Sequence, residues 1–407
     1  MPTVVIAGEK FGYPYGSGAS SRVHAYAKGL LAAGARVTVL CVEPSEIAGD
    51  EVNAAAAGTY DGVGFMYTYG RTSRPARRSS RIWLKLTKWA RFLWAVEAIA
   101  ARCDGLDAII VYSRSLSWMG LCKLACRRHD ALFVHEDCEL PFRVVQGARV
   151  RAVRWLYEHV AFRWFDGCLV ISSWLDDYCR RRLRVPANVL PVPILVDVAA
   201  FEAAAGSPPV GDDVVYCGYS TNPEVFDLVE ALSLVAGESP KVRLKVVGGT
   251  LRPALLPRLR EHASRLGVAD RVELVGELRR DELPPVLAAA RLLALPRPDT
   301  PVFRAGLPTK LGEYLATGRP VVVNAVGDIP RYLRDRVDAY LVDAGDVATF
   351  AARLRHVIAH EAEADAVGLA GREAARTQFD PAFHGRRIVD FIGRLSSPTA
   401  PSESAGS

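Results

Sequence analysis

The chain has 407 residues, half of them hydrophobic, and a formal net charge of +6 at neutral pH. This length predicts two domains of about 200 residues each. The modest positive charge favours a protein that handles anionic substrates or contacts an anionic membrane over a nucleic-acid-binding protein.

The first half of the chain alternates short apolar runs with helical patterns, which predicts a parallel α/β sheet. It enters a strand at Val4 without a signal peptide, and its most apolar stretch, 92–101, is too short to span a bilayer. The eight scattered cysteines argue against a metal site, so we expect reduced thiols and a cytoplasmic protein. Strands are predicted at 3–7, 36–42, 63–68, 107–112, 131–135, 168–172 and 188–192. Helices are predicted at 20–33, 82–103, 116–128, 149–165 and 173–184.

A glycine-rich loop, 8–18, joins the first strand to the first helix. Gly16 and Gly18 would let the backbone approach a ligand closely, and Ser20 or Ser21 can cap the helix. By itself, such a loop is equally typical of an ordinary turn between a strand and a helix.

The segment 71–94 combines eight Lys or Arg residues with tryptophans and an apolar stripe at helical spacing. This composition suits peripheral contact with the inner face of an anionic membrane. A helix that packs its stripe on the sheet and leaves its charges in solvent explains the pattern as well, and both roles can hold together. A second basic and aromatic cluster spans 149–164.

His135 ends the strand predicted at 131–135, and Glu136 and Asp137 follow it. Doubly wound folds keep their sites at this carboxyl edge of the sheet. A lone histidine at a strand end is nevertheless more often structural, and the two acids are equally typical of a solvated loop.

A break rich in Ala, Gly, Ser and Pro separates the two halves. We predict domains at 1–202 and 213–381, a linker at 203–212, a last helix at 382–395 and a disordered tail at 396–407. In the second half, strands are predicted at 213–217, 242–247, 271–275, 291–295, 320–324 and 339–342. Helices are predicted there at 223–236, 252–266, 281–290, 308–317 and 346–362.

Residues 306–320, GLPTKLGEYLATGRP, are the most informative stretch. They predict a loop, a helix that ends at Gly318 and a buried strand that begins after Pro320. Lys310 and Glu313 share one face near the helix N-terminus, where free N–H groups and a partial positive charge suit a phosphate. A carboxylate one turn into the helix could bind two ribose hydroxyls. The stretch therefore predicts a nucleoside diphosphate site.

This stretch resembles the donor-site motif of the family-4 retaining glycosyltransferases of GT-B fold. A glycine and proline before a lysine, then Glu-Tyr-Leu-Ala, Gly-x-Pro and a valine run carry the resemblance. It covers most of 1–395 in outline but is specific only around 306–323 and, less so, 131–141. The resemblance implies two Rossmann-like, doubly wound α/β domains facing across a cleft. It also implies retaining transfer from a nucleoside-diphosphate sugar, with no cofactor and no obligatory metal.

The resemblance also implies roles for single residues. Glu313 would bind the donor ribose, the helix end at Lys310 would face the diphosphate, and His135 would be the catalytic residue that contacts the donor sugar. Gly16 and Gly18 would lie against the donor. The acceptor side would include Arg22, Glu136 and Asp137.

The chain departs from the family at the start of its second domain, where relatives usually carry Gly-Arg and, a few residues on, a lysine. Here Gly218, in the donor-site position, is followed by Tyr-Ser-Thr-Asn-Pro-Glu, with no cation. A leaving diphosphate needs its growing charge neutralised. Arg297 and Arg304 could supply this together with Lys310, although solvated loop arginines are the other interpretation.

A second departure lies near Gly306, where many members carry an acid that meets the donor sugar. A subgroup with Gly-x-Pro-x-Lys also lacks that acid, and this chain is similar to it. Backbone N–H groups around Gly306 would then hold the sugar.

We therefore expect a metal-independent glycosyltransferase of hexosyltransferase type. The first other hypothesis is a different GT-B sugar-nucleotide enzyme, an epimerase or hydrolase that turns over its donor without an acceptor. The second is a non-catalytic GT-B subunit that supports a partner transferase. The sugar, the acceptor and the base (UDP, GDP, ADP or dTDP) stay open.

Overall fold

The computed structural model describes residues 1–9, 11–16, 18–49, 51–142, 147–202 and 211–397. The chain divides into two compact units. The first comprises residues 1–193 and the chain from Pro381 onward, and the second comprises Ile194–Asp380. Most of the predicted linker, 203–210, and of the predicted tail, 398–407, lies outside the described residues.

The first unit ends at Pro193, nine residues before the predicted boundary at 202. The segment after Pro193 packs into the second unit instead. The Val196 N–H donates to the Phe379 carbonyl at 3.0 Å, and a Cβ on Gly312 would lie 3.2 Å from the Val196 side chain. The change of composition at 203 therefore lies after the boundary between the two units, within the part of the chain that belongs to the second unit.

An eight-stranded sheet forms the centre of the first unit. Its strands are β1 (Thr3–Gly8), β2 (Arg36–Cys41), β3 (Ala57–Tyr60), β4 (Val63–Tyr67), β5 (Ala108–Tyr112), β6 (Leu132–Asp137), β7 (Gly167–Val170) and β8 (Val189–Pro191). They lie in the order β3-β4-β2-β1-β5-β6-β7-β8, and only the edge strand β3 pairs antiparallel among them. Apolar runs such as 4–6 and 109–111 are buried because helices cover both faces.

A six-stranded parallel sheet forms the centre of the second unit. Its strands are β9 (Asp213–Cys217), β10 (Arg243–Val247), β11 (Val272–Gly276), β12 (Leu292–Leu295), β13 (Val321–Asn324) and β14 (Tyr340–Val342). They lie in the order β11-β10-β9-β12-β13-β14.

Helices connect the parallel strands, as right-handed crossovers require. They are α1 (Gly18–Ala32), α2 (Arg78–Cys103), α3 (Leu116–Arg128), α4 (Ala148–His159), α5 (Ser173–Arg180), α6 (Ala199–Glu202), α7 (Pro223–Ala236), α8 (Leu256–Arg265), α9 (Leu283–Ala288), α10 (Pro301–Ala305), α11 (Thr309–Ala316), α12 (Ile329–Tyr332), α13 (Val347–Ala359), α14 (Glu361–Gln378) and α15 (Pro381–Ser396).

In the first unit, α1 and α15 pack closely together where Gly29 faces Gly385. Glycine permits this approach, because a Cβ on Gly385 would lie 2.0 Å from the Gly29 carbonyl oxygen. Helices α2 and α3 pack side by side in another layer, where the rings of Phe92 and Trp118 lie 4.3 Å apart between centroids.

Helix α14 is absent from the sequence prediction. It packs through glycines rather than large apolar side chains, since a Cβ on Gly368 would lie 2.4 Å from the Gly318 carbonyl oxygen. A Cβ on Gly371 would lie equally close, 2.4 Å, to the Asp338 carbonyl oxygen. A buried face of Ala and Gly gives little apolar periodicity, and this explains the omission.

Candidate functional site

In the second unit the strand order reverses between β9 and β12. Since the strands are parallel, the loops that follow them share one edge. A doubly wound sheet binds ligands in the crevice at such a reversal. Gly218 follows β9 directly, and Arg297 lies just after β12. Both residues therefore stand where this sheet is expected to hold its ligand.

Lys310, on α11, reaches over the end of β9. Its Nζ lies 4.5 Å from the centre of the Tyr216 ring and donates to the Tyr216 hydroxyl at 3.3 Å. A Cβ on Gly218 would come within 2.8 Å of that Nζ, so glycine leaves room for the lysine. Lys310 forms no ion pair with any described residue, and its charge is available to an anion.

The Arg297 guanidinium is buried without a carboxylate partner. The residue is 8% exposed. Its Nη2 donates to the Phe303 and Gly306 carbonyls at 3.1 and 3.4 Å, while its Nε has no partner among the described residues. Burial lowers the pKa of Arg297 to about 10, against the attraction of Glu224 and Tyr216, so the group stays charged at neutral pH. A buried cation without an acid is costly, and an incoming anion would relieve that cost.

Glu313 lies one turn beyond Lys310 on α11 and is partly buried. Burial raises the pKa of its carboxyl, against the attraction of Arg280 and Lys310. A carboxylate accepts hydrogen bonds only, which suits the paired hydroxyls of a ribose.

Arg280 is a candidate that the sequence analysis missed. It lies in the loop after β11, close enough to Glu313 for its positive charge to lower the pKa of the Glu313 carboxyl. Its Nη1 is buried without a hydrogen-bond partner among the described residues. Its position after a predicted strand was the signal that could have found it, because ligands gather at that edge.

The two arginines proposed as phosphate partners differ in their surroundings. Arg304 is exposed, and its Nε and Nη2 donate to the two Asp299 oxygens at 2.5 and 2.6 Å. This pairing raises the pKa of Arg304 and leaves its charge already compensated. Gly306 lies beside Arg297, to which it offers its carbonyl. Arg297, which has no carboxylate partner, is therefore a better candidate than Arg304 for binding a phosphate.

In the first unit the strand order reverses between β1 and β5, and the glycine-rich loop follows β1. Ser20 Oγ donates to the Gly12 carbonyl at 2.6 Å. A Cβ on Gly16 would lie 2.3 Å from that Oγ, so a larger residue there would displace the Ser20 hydroxyl from this hydrogen bond. Because α1 begins at Gly18, the predicted helix cap at Ser20 or Ser21 is wrong.

Arg22 and Glu136, both predicted on the acceptor side, are bonded to each other inside the first unit. The Arg22 Nε donates to the Glu136 Oε1 at 2.7 Å, and both side chains are almost fully buried. Further Arg22 donors reach the Pro193 carbonyl at 2.9 Å and the Tyr26 hydroxyl at 2.7 Å. All three guanidinium nitrogens of Arg22 thus donate to groups inside the first unit. These bonds connect α1, which carries Arg22, to β6 and to Pro193 at the end of the unit.

His135 does not end its strand, because β6 continues to Asp137. The residue is 0% exposed, its Nε2 lies 3.0 Å from the Tyr157 hydroxyl, and its ring stacks on Phe165. Burial lowers the pKa of His135 to about 4, so the ring is neutral at physiological pH. With no exposed surface, it cannot contact a donor sugar in this conformation.

Asp137 is buried as well. Arg114 donates to its Oδ1 from Nε at 3.0 Å and from Nη2 at 2.6 Å. This ion pair fixes the end of β6 to the loop after β5. Asp137 therefore orients the strand end rather than facing solvent.

Two family models match the chain. Residues 17–194 match the glycosyl transferase 4-like domain, and residues 211–360 match the glycosyl transferases group 1 model. Each half of the chain thus matches a family of glycosyltransferase domains.

Curated relatives of the chain include the D-inositol 3-phosphate glycosyltransferase of Mycolicibacterium smegmatis, 32% identical over 184 residues. That match covers 42% of this chain and 40% of the relative. The GDP-mannose-dependent alpha-(1-6)-phosphatidylinositol monomannoside mannosyltransferase of the same species is 31% identical over 170 residues, 40% of this chain and 43% of the relative. The chain thus spans less than half the length of these relatives.

Solved structures similar to the chain include a sucrose-phosphate synthase from Thermosynechococcus elongatus. Its TM-score is 0.70 at 17% identity, over 97% of this chain and 99% of that chain. Anabaena HepE in complex with UDP has a TM-score of 0.65 at 15% identity, over 97% of this chain and 100% of that chain. The predicted GT-B fold, with two Rossmann-like domains, is confirmed.

Within the described ranges, no helix of the chain is long and apolar enough to cross a membrane. The same residues contain no group of three or more His, Cys, Asp or Glu side chains placed to hold a metal ion.

Proposed function

We propose that this protein transfers a sugar from a nucleoside-diphosphate donor to an acceptor, with retention of the anomeric configuration. The observation that carries the proposal is the pair of Lys310 and Arg297, two cations without an acidic partner among the described residues. They stand by the strand reversal of the second sheet, with Glu313 one turn along α11. The relatives are named as glycosyltransferases, and the HepE structure contains UDP, which supports this class of donor.

In the proposed reaction, the bond between the anomeric carbon and the leaving phosphate oxygen breaks, and the acceptor oxygen bonds to the same face of the sugar. The acceptor proton passes to an oxygen of the departing phosphate. Arg297 binds phosphate oxygens through its planar, forked donors, Lys310 adds a point charge, and Glu313 holds the ribose hydroxyls. Neutral, buried His135 supports β6 from within and takes no proton in this scheme.

The same geometry bears on the non-catalytic alternative. A subunit that binds no diphosphate gains nothing from a buried arginine without an acid, since such a charge costs stability. Arg297 therefore favours a working donor site in spite of the missing Gly-Arg and lysine pair.

A thermal-shift screen against UDP, GDP, ADP and dTDP tests the donor site. We expect one nucleotide to raise the unfolding temperature most, because ligands that bind the folded state stabilise it. Lys310→Gln should reduce that shift. Lys241→Gln, an exposed lysine before β10, makes the same charge change and should leave the shift unaltered. No shift with any of the four nucleotides contradicts the proposal.

Product analysis then separates transfer from the other enzyme hypothesis. With the donor identified, its turnover is followed with and without candidate acceptors, and the anomeric configuration of the product is determined by NMR. Retained configuration and acceptor-dependent turnover support transfer. Equal turnover without any acceptor identifies an epimerase or a hydrolase.

We also propose that the first half of α2 lies on an anionic membrane surface. No residue from Arg78 to Arg91 is buried, and Ile82, Trp83 and Leu86 are 52, 62 and 70% exposed. In this first half the stripe does not pack on the sheet, because burial of the helix begins only at Phe92; in the second half Val96 is buried, so the packing interpretation holds there. Exposed apolar side chains flanked by arginines and lysines match the chemistry of an anionic bilayer interface.

Sedimentation with phosphatidylcholine vesicles, with and without phosphatidylglycerol, tests this contact. The wild type should sediment with the anionic vesicles, and Trp83→Ser with Leu86→Ser should abolish this. The control is Leu251→Ser, at a residue of the second unit that is 58% exposed. Equal sedimentation of the double variant and the wild type rules the contact out.

A further inference from the structure

The first unit contains an open depression that none of the proposed steps uses. It has a volume of about 440 Å³ and is lined by Lys123, Arg127, Val160, Arg163, Trp164, Asp166 and Arg184. Helix α3 leads into β6, and Asp166 directly precedes β7. The depression therefore lies where β6 and β7 begin, whereas the glycine-rich loop lies at the opposite edge of this sheet, where the strands end.

The wall of the depression is strongly basic. Its one acid, Asp166, accepts from the Phe133 N–H at 2.7 Å and from Lys123 at 3.2 Å. This carboxylate is thus occupied by the backbone and by one lysine. Arg127, Arg163 and Arg184 are exposed and form no ion pair with any described residue. Three uncompensated guanidinium groups therefore line one depression.

Packing brings these groups together from separate elements. A Cβ on Gly120 of α3 would lie 3.7 Å from the Trp164 ring, which places the turn after α4 against α3. Arg184 arrives from the segment that follows α5. Like charges collected from three segments repel one another, and a bound anion would relieve that repulsion.

We propose that this depression binds a phosphate-bearing anion, at a site distinct from the nucleotide site. Guanidinium groups bind phosphate oxygens through paired N–H donors, and three of them match a phosphate better than a single carboxylate. Trp164 adds an apolar wall for the group that the phosphate esterifies. The volume leaves room for a phosphate ester, either soluble or in the headgroup of a lipid.

Calorimetric titration of the full chain with glycerol 3-phosphate tests the soluble source. Sedimentation with phosphatidylcholine vesicles that contain phosphatidic acid tests the lipid source. The variants are Arg127→Gln and Arg184→Gln. Arg128→Gln is the matched control, because this exposed neighbour on α3 makes the same charge change but does not line the depression.

Arg127→Gln and Arg184→Gln should each weaken binding about tenfold, the loss expected for one charge-assisted contact, whereas Arg128→Gln should stay close to wild type. Arg127→Lys should restore part of the affinity, since it keeps the charge but loses the forked donors. If Arg127→Gln and Arg184→Gln lose affinity in both assays, the site binds phosphate esters in general. If they lose affinity for the vesicles alone, the ligand is a lipid headgroup. The site is refuted if Arg127→Gln matches Arg128→Gln in both assays while its far-UV spectrum and melting temperature remain those of the wild type.

Discussion

At the residue scale, Glu313 is a carboxylate whose charge the folded protein disfavours. Burial raises its pKa above the ordinary 4.5, so the folded state holds this proton more tightly than the unfolded state. Ionised Glu313 therefore costs stability at neutral pH, and the cost disappears as the pH falls towards 4.5. The proposed contact with the donor ribose gives a reason for a carboxylate that costs stability at this position.

We predict that Glu313→Gln raises the unfolding temperature of the free protein at pH 7 and lowers nucleotide affinity about tenfold. The gain in stability should shrink as the pH is lowered, since the wild type then takes up its proton. Melting curves across pH and a calorimetric titration check both parts. A variant that melts lower at pH 7 and binds nucleotide normally would contradict this role.

His135 gives the opposite pH dependence. Its pKa falls from 6.5 to about 4 on folding, so its contribution to stability is present above 6.5 and is lost as the pH falls towards 4. His135→Gln lacks this titration. The wild type should exceed the variant in unfolding free energy at pH 7, and the gap should narrow by about 1 to 3 kcal/mol between pH 7 and 4. Urea unfolding at both pH values measures it, and a gap independent of pH excludes a buried neutral ring.

The sequence predicted that Lys310 and Glu313 belong to one site, because two residues three positions apart on a helix lie on the same face. It could not separate Arg297 from Arg304, since only the fold brings Asp299 to the second of them. For the same reason, Arg22 was expected to meet an acceptor, although folding pairs it with Glu136. Long-range packing therefore decides which arginine or lysine is left without an acidic partner.

At the element scale, α14 depends on glycines that allow backbones to touch. We predict that Gly371→Ala destabilises the protein by about 1 to 3 kcal/mol, because its Cβ would meet the Asp338 carbonyl oxygen at 2.4 Å. Gly393→Ala is the control: it lies on α15, and nothing is within 4 Å of its Cβ position. It should be neutral or slightly stabilising, since alanine favours helix. Equal melting temperatures for the two variants would show that α14 does not pack as described.

The parallel strands of both sheets were predictable, since buried parallel strands are short runs of β-branched residues. The edge strand β3 and helix α14 were not, because an exposed strand and a face of small residues give weak patterns. The first half of α2 has the apolar stripe of a packed helix, and only the fold reveals that Ile82 and Leu86 face outward.

At the scale of the whole molecule, length and alternating patterns predicted two domains with parallel α/β sheets, and the family resemblance implied that both are Rossmann-like. The boundary was misplaced because composition marks loops, whereas packing decides which unit a segment joins. Residues 194–202 join the second unit through contacts such as that between Val196 and Phe379. The fold class thus follows from local sequence, and the exact division follows from tertiary contacts.

Arg297 is proposed to replace the missing cations and to bind the donor diphosphate. Isothermal titration of Arg297→Met with the cognate nucleoside diphosphate, and with the corresponding nucleoside, tests it most directly, with Arg304→Met as the control. We predict that Arg297→Met loses about tenfold or more in diphosphate affinity and little in nucleoside affinity, whereas Arg304→Met stays near wild type in both. A folded Arg297→Met variant with unchanged diphosphate affinity would contradict the account.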